Sequence, residues 1–150
     1  MIYIDGDSCC CKEIVIRLAQ EYKQKVSIYI DTAHIYASAY AAVITVDKGL
    51  DSVDYAILKH IKKNDILVSS DYALCAMALT KEARPILTSG NIVTIDNIDS
   101  LLINRYINKK ARDINMHTKG PKKRTKIDDK NFEVSLRSLL EPTINKSRDF

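Results

Sequence analysis

Short apolar runs alternate along the chain with stretches of helical period. Met1-Ile2-Tyr3-Ile4 reads as a buried strand over 2–5, and the apolar positions from Glu13 to Tyr22 place a helix behind it, over about 10–23. Val26–Ile30 predicts a second strand, ending at Asp31, and Val43–Val46 a third. Between them His34–Ala42 has no clean period and suits a loop, a short helix or an extra strand. Ser52 to Ile61 predicts an amphipathic helix with Val53, Ile57, Leu58 and Ile61 on one face. Ile66–Ser69 predicts another buried strand, and Asp71 leads into an Ala/Leu/Met-rich helix to about Lys81. Pro85–Leu87 and Ile92–Ile95 are short strand candidates around the Gly90-Asn91 turn. A long helix from Asp96 through about Ile114, a basic loop over 116–127 and a helix from Asp128 to about Leu140 complete the pattern.

Strands alternating with helices imply a mostly parallel sheet covered on both faces, a single three-layer α/β domain. The length of 150 residues suits one domain with a proper core. Its expected extent is 1–141, including the basic loop 116–127, with 142–150 a frayed C-terminal tail. No apolar run approaches the roughly 20 residues that span a membrane. Asp5 and Asp7 interrupt any signal-like start, so the cytoplasm is the expected location and no membrane partner is expected.

Candidate chemistry begins at Asp5-Gly6-Asp7, directly after the first strand. In an open α/β sheet ligands bind beyond the carboxyl ends of the strands. On an extended chain Asp5 and Asp7 share a face, with Cα atoms about 7 Å apart. Two such carboxylates repel each other and resist desolvation; a divalent cation or a shared proton relieves both costs. Asp71 follows strand 66–69 in the same strand-end position, and Asp54 lies in the first turn of the preceding helix with Asp51 close by. Right-handed crossovers bring strand ends and helix starts to one edge, so Asp5, Asp7, Asp54 and Asp71 are candidates for one pocket. Oxygen ligands of this kind suit Mg²⁺ or Mn²⁺. Each acid also suits a plainer role: Asp7, Ser8 or Asp71 as a helix cap, Asp51 and Asp54 at the positive end of a helix dipole. Capping needs only one residue per helix, so two acids after the first strand are harder to account for that way.

Charge is uneven along the chain. Residues 1–99 hold 10 Lys/Arg against 13 Asp/Glu, and residues 100–150 hold 13 against 6. Lys119, Lys122, Lys123, Arg124 and Lys126 crowd together around Gly120-Pro121, and Arg105, Lys109 and Arg112 fall on one face of the long helix. These eight cations could hold a phosphate backbone without reading bases, with Tyr72 and Tyr106 the nearby stacking candidates. The plainer reading folds the basic tail back on an acidic body. Cys9, Cys10, Cys11 and Cys75 form no CxxC pair, and three consecutive cysteines diverge too much for a tetrahedral zinc site. They are expected to be reduced and partly buried, with Cys9 near a helix N-terminus a candidate for a lowered pKa. His34, His60 and His117 form no metal-binding pair and read as surface or satisfied histidines.

Asp5-Gly6-Asp7-Ser8-Cys9, the Asp54 helix, Leu67-Val68-Ser69-Ser70-Asp71-Tyr72 and the tail Thr118-Lys119-Gly120-Pro121 with Asp129 and Phe132 resemble the YaiI/YqxD family, bacterial proteins placed near the PIN-like nuclease folds. The resemblance spans about residues 1–141. The family typically has proline where this chain has Cys10, and often Pro-Arg-Gly where it has Thr88-Ser89-Gly90, which removes one possible phosphate contact. The resemblance implies a PIN-like fold, and the four acids of a PIN-like metal site, Asp5, Asp7, Asp54 and Asp71, are all present.

Three functional classes follow. The first is a metal-dependent nuclease that cuts phosphodiesters, RNA more than DNA, with Mg²⁺ or Mn²⁺ held by the Asp cluster and the basic segments on the nucleic acid. The second is a non-catalytic nucleic-acid or nucleotide-binding module. The third is a haloacid-dehalogenase-like phosphatase with Asp5 as nucleophile and Asp7 as acid/base. Against the third, Ser8 stands where that fold expects Thr or Val, and no acidic pair follows a later strand.

Overall fold

The apolar runs become strands in every expected case but Ile92–Ile95. In the computed structural model, which describes residues 1–49, 52–114 and 123–141, the strands are β1 (Ile2–Asp5), β2 (Val26–Asp31), β3 (Ala42–Val46), β4 (Ile66–Ser69) and β5 (Arg84–Leu87). The helices are α1 (Lys12–Glu21), α2 (Ser52–His60), α3 (Tyr72–Thr80), α4 (Ile98–Ile114) and α5 (Lys126–Leu140). All five strands run parallel in the order β3-β2-β1-β4-β5. Sheets of this kind are buried on both faces, which is why β1, β2 and β4 read as continuous apolar runs.

Side chains alternate across the sheet and sort the core into two layers. Ile2, Ile4, Ile28, Val68 and Ile86 face α1 and α5, where Val15, Leu18, Phe132 and Leu136 cover them. Tyr3, Tyr29, Leu67 and Leu87 face the other way, beneath Val53 and Ile57 of α2 and Leu74, Cys75 and Ala78 of α3. The domain is therefore a three-layer α/β sandwich with a PIN-like arrangement of strands and helices. No helix among the described residues is long and apolar enough to cross a membrane.

The chain passes from β1 to β2 on one side and returns to β4 on the other. That reversal opens a crevice above the carboxyl ends of β1 and β4. Gly6 sets how closely the β1 end approaches β2. Its N–H donates to Tyr29 O at 2.8 Å, and a Cβ there would lie 2.8 Å from that oxygen and 2.5 Å from Ile30 Cγ2.

Several expectations shift. Ile92–Ile95 forms no strand, only an isolated antiparallel bridge between Ile86 and Ile92. Asn97 draws the chain off the sheet: its side chain donates to Ile92 O and accepts from Thr94 N, and α4 starts at Ile98. Helix α5 starts at Lys126 rather than Asp128, because Thr125 and Asp128 cap each other's backbone N–H groups. Cys11 is the N-cap of α1 and makes no side-chain cap bond, so neither Asp7 nor Ser8 caps that helix. His34–Ala42 is irregular save for the start of β3. Asp51, residue 115, residues 116–122 of the expected basic loop 116–127 (with His117, Lys119 and Lys122) and the expected tail 142–150 lie outside the described residues.

Candidate functional site

The crevice holds a cleft of about 270 Å³ lined by Asp5, Asp7, Asp31, Asp54 and Asp71, with Ser8 and Ser52 among them. The structure thus brings the four acids singled out from sequence to one place and adds a fifth. Asp5 ends β1 and Asp7 follows in the loop; Asp31 ends β2; Asp54 stands in the first turn of α2; Asp71 precedes α3.

Asp5 is the buried member, 5% exposed. Ser69 Oγ donates to its Oδ2 at 2.8 Å and Ser8 Oγ at 2.9 Å. Burial pushes the Asp5 carboxyl above the ordinary carboxylate range, the two hydroxyls pull it back, and the charges of Asp7 and Asp71 push it up again. Ser8 also ties the two strand ends together, its Oγ accepting from Ser70 N at 3.2 Å. Asp71 Oδ1 accepts from Ala73 N at 2.9 Å and Leu74 N at 3.1 Å, so this acid caps α3 while it lines the cleft.

Asp31 and His34 are the residues sequence reasoning passed over. His34 Nδ1 lies 2.9 Å from Asp31 Oδ1 and 3.0 Å from Asp7 Oδ1. One donor atom each from Asp7, Asp31 and His34 falls within 4.8 Å of the others, spacing that suits a shared cation. The bond to Asp31 and the charge of Asp7 raise the His34 pKa, and the imidazole in turn lowers that of Asp31. The signal was in the register. Asp5 pairs with Tyr29 across β1 and β2, which sets Asp7 level with Asp31 two residues on.

The cations are less concentrated than their sequence spacing suggests. Arg105 stacks 4.8 Å over the Tyr72 ring and its Nη1 donates to Ser70 O at 3.4 Å, beside Asp71 at the rim. Lys109 and Arg112 are exposed farther along α4, and Lys123 and Lys126 are exposed near the start of α5. Arg124 turns inward: its Nε pairs with Asp129 at 2.6 Å, its Nη1 donates to Thr88 O at 2.6 Å, and the guanidinium sits over Phe132. Its cation serves the packing of α5.

The cysteines are free thiols, with Cys9, Cys11 and Cys75 buried and Cys10 exposed. Cys9 and Cys11 Sγ atoms lie 3.7 Å apart. The bond from Cys11 holds the Cys9 thiol below its ordinary value, while Cys11 is pushed up; burial takes Cys75 up to about 12.

Fold and cleft define a class: a three-layer parallel α/β domain with an acidic, hydroxyl-lined pocket at its topological switch point. Comparison with known proteins gives the family. A family model described as "Uncharacterized BCR, YaiI/YqxD family" matches residues 3–142, and the chain belongs to that family. It is similar to a UPF0178 protein of Lachnoclostridium phytofermentans, 46% identical over 143 residues that cover 93% of this chain and 96% of the relative. A UPF0178 protein of Natranaerobius thermophilus is 45% identical over 93% of this chain and 95% of its own length. One of Clostridium acetobutylicum is 43% identical over the same shares. No solved structure matches the chain.

Proposed function

We propose that this protein is a metal-dependent nuclease that hydrolyses phosphodiesters, with RNA its substrate before DNA. The observation that carries the reading is the convergence of five carboxylates from separate elements on one cleft of about 270 Å³. The donor set fits Mg²⁺ or Mn²⁺: hard oxygens dominate, and the single imbalance toward nitrogen, His34, favours Mn²⁺. Asp5, Asp7, Asp54 and Asp71 would hold the ion, with Asp31 and His34 extending the set on the β2 side. A bound ion would supply charge stabilisation at the phosphate and a more acidic water.

The protein's own groups supply the rest. Ser8 and Ser69 hold the Asp5 carboxylate in one orientation from within the core. Arg105, locked over Tyr72 at the rim, is placed to take a phosphate oxygen, and Lys109 and Arg112 lie one and two turns farther along the same helix. PIN-like domains are often ribonucleases, which puts RNA first among substrates. A second reading, a non-catalytic nucleic-acid-binding module, draws on the Asp7–His34–Asp31 group, since a protonated imidazole balances those carboxylates without any metal.

Calorimetric titration of Mn²⁺ into the protein and into an Asp7→Asn variant tests the reading, followed by single-stranded RNA hydrolysis with and without metal. Asp71→Asn is the companion variant, because asparagine keeps the α3 cap while removing the charge. Saturable binding weakened in both variants, with metal-dependent RNA cleavage lost in both, is the expected result. No binding up to millimolar metal, or cleavage untouched by either amide, overturns it.

A further inference from the structure

The second half of α4 turns its apolar face away from its own domain. Ile98 and Leu101 at its start are its apolar residues packed on the body, partly buried beside the α2–α3 layer, Arg105 reaches back to Tyr72 and Ser70, and every residue from Leu102 to Ile114 is exposed. At about 100° per residue, Ile103, Ile107 and Ile114 fall within about 40° of one another on the side opposite Arg105, Lys109 and Arg112. Ile103 is 58% exposed, Ile107 55% and Ile114 80%, with Tyr106 at 62% on the flank. A helix of 17 residues, about 25 Å, draws most of its stability from a packed apolar face, and among the described residues nothing packs on this one. Together the side chains present on the order of 500 Å², a size at which exposed apolar patches mark interaction sites.

We propose that a second copy of this chain covers the Ile103–Ile107 part of the stripe, α4 against α4 and antiparallel, in a two-fold symmetric dimer. The charges flanking the stripe pick out this occupant. Asp99 and Lys110 lie on the same edge of the apolar face, and their midpoint along the helix coincides within half a residue with that of Ile103 and Ile107. A two-fold axis through that point sets Ile103 of each copy against Ile107 of the other. The same axis sets Asp99 of each copy beside Lys110 of the other, so both pairs form twice. Parallel pairing would put the charged edges of the two copies on opposite flanks of the seam and form neither pair. The basic side of α4, with Arg105, Lys109 and Arg112, remains outward in both copies, so the dimer and the proposed nucleic-acid contact do not compete. The patch is smaller than the roughly 800 Å² per partner of a standard interface, so the dimer belongs among the weak, concentration-dependent ones. An amphipathic helix with one apolar and one basic side also suits a membrane surface, but Asp99 and Asp113 on the flanks disfavour anionic lipid.

Sedimentation of the full chain across roughly 1–200 μM, in reducing agent so that exposed Cys10 forms no cross-link, reads the association directly. The expected result is a concentration-dependent shift from 17.0 kDa toward twice that mass. Ile107→Asp should weaken the dimer at least tenfold with the circular dichroism of the domain retained. Lys110→Asp should weaken it less, and adding Asp99→Lys to Lys110→Asp should restore it, a readout that survives even if the Ile107 variant disturbs the helix. A monomer at every concentration overturns the proposal. So do a dimer indifferent to Ile107→Asp, a double charge reversal that fails to rescue, and a monomer that co-sediments with phosphatidylserine vesicles.

Discussion

Gly6→Ala tests whether the approach of the β1 end to β2 holds the cleft in shape. The new methyl would lie 2.5 Å from Ile30 Cγ2, 2.8 Å from Tyr29 O and 2.9 Å from Ile28 Cγ2. Ordinary carbon contacts begin near 3.5 Å, so the strand end must retreat by about 1 Å. The Tyr29 oxygen belongs to the sheet backbone and cannot swing aside, and Ile28 and Ile30 are packed into the α1–α5 layer. Retreat stretches the 2.8 Å bond from Gly6 N to Tyr29 O, a loss of about 0.5–1.5 kcal/mol, on top of about 1–3 kcal/mol for overpacking. Urea unfolding should therefore show a loss of about 2–4 kcal/mol with an unchanged m-value. The same retreat moves Asp5 and Asp7, which flank Gly6, so the folded variant should also bind Mn²⁺ more weakly than the parent. A stability loss below about 0.5 kcal/mol would refute the close-contact account, since that is the scatter expected of a surface substitution.

Two further perturbations read the site and its frame. The native Asp5 carboxyl titrates above its unfolded value of 3.8, so the folded chain holds its proton longer and stability falls as pH rises from 3.8 through the native value. Asp5→Asn should remove that decline, leaving the variant at least as stable as the parent at neutral pH in chelator; urea midpoints from pH 3.5 to 7.5, compared variant against parent, check it, and a variant less stable than the parent at pH 7 contradicts it. Arg124→Met should cost about 1.5–3 kcal/mol by orphaning Thr88 O and Asp129, whereas Lys123→Ala should stay within about 0.5 kcal/mol, both by chemical denaturation.

How much of this was legible in the chain depends on how local the deciding interaction is. The strands were legible because a strand buried on both faces must be apolar at every position, as Ile2–Ile4 and Ile66–Val68 are. The α2 face was legible too, with Val53, Ile57 and Ile61 all buried. The segment Ile92–Ile95 was misread because its β-branched composition carries no trace of Asn97, whose side chain ends the pairing after a single bridge. Helical period along α4 shows two faces but not which one meets the body, and the apolar one turned outward. Arg124 looked like one cation in a run. Its inward course is set by Thr88, Asp129 and Phe132, which only the folded chain brings to it.

The site divides along the same line. Asp5, Asp7, Asp54 and Asp71 were readable because parallel α/β topology sends strand ends and helix starts to one edge whatever the strand order. Asp31 and His34 were not, because their meeting with Asp7 requires β2 to lie beside β1 in a particular register. Capping a helix and lining the cleft are compatible roles for one carboxylate. Asp71 spends Oδ1 on the first N–H groups of α3, and Asp54 stands in the first turn of α2, so the positive ends of two helix dipoles point into the cleft. Those dipoles, the Ser8 and Ser69 hydroxyls and the His34 imidazole together offset the repulsion among five acids. Asp5 is the exception within the cleft, since its burial and the charges of Asp7 and Asp71 outweigh the two hydroxyls and favour its protonated form, so the deepest acid is the one whose charge costs most.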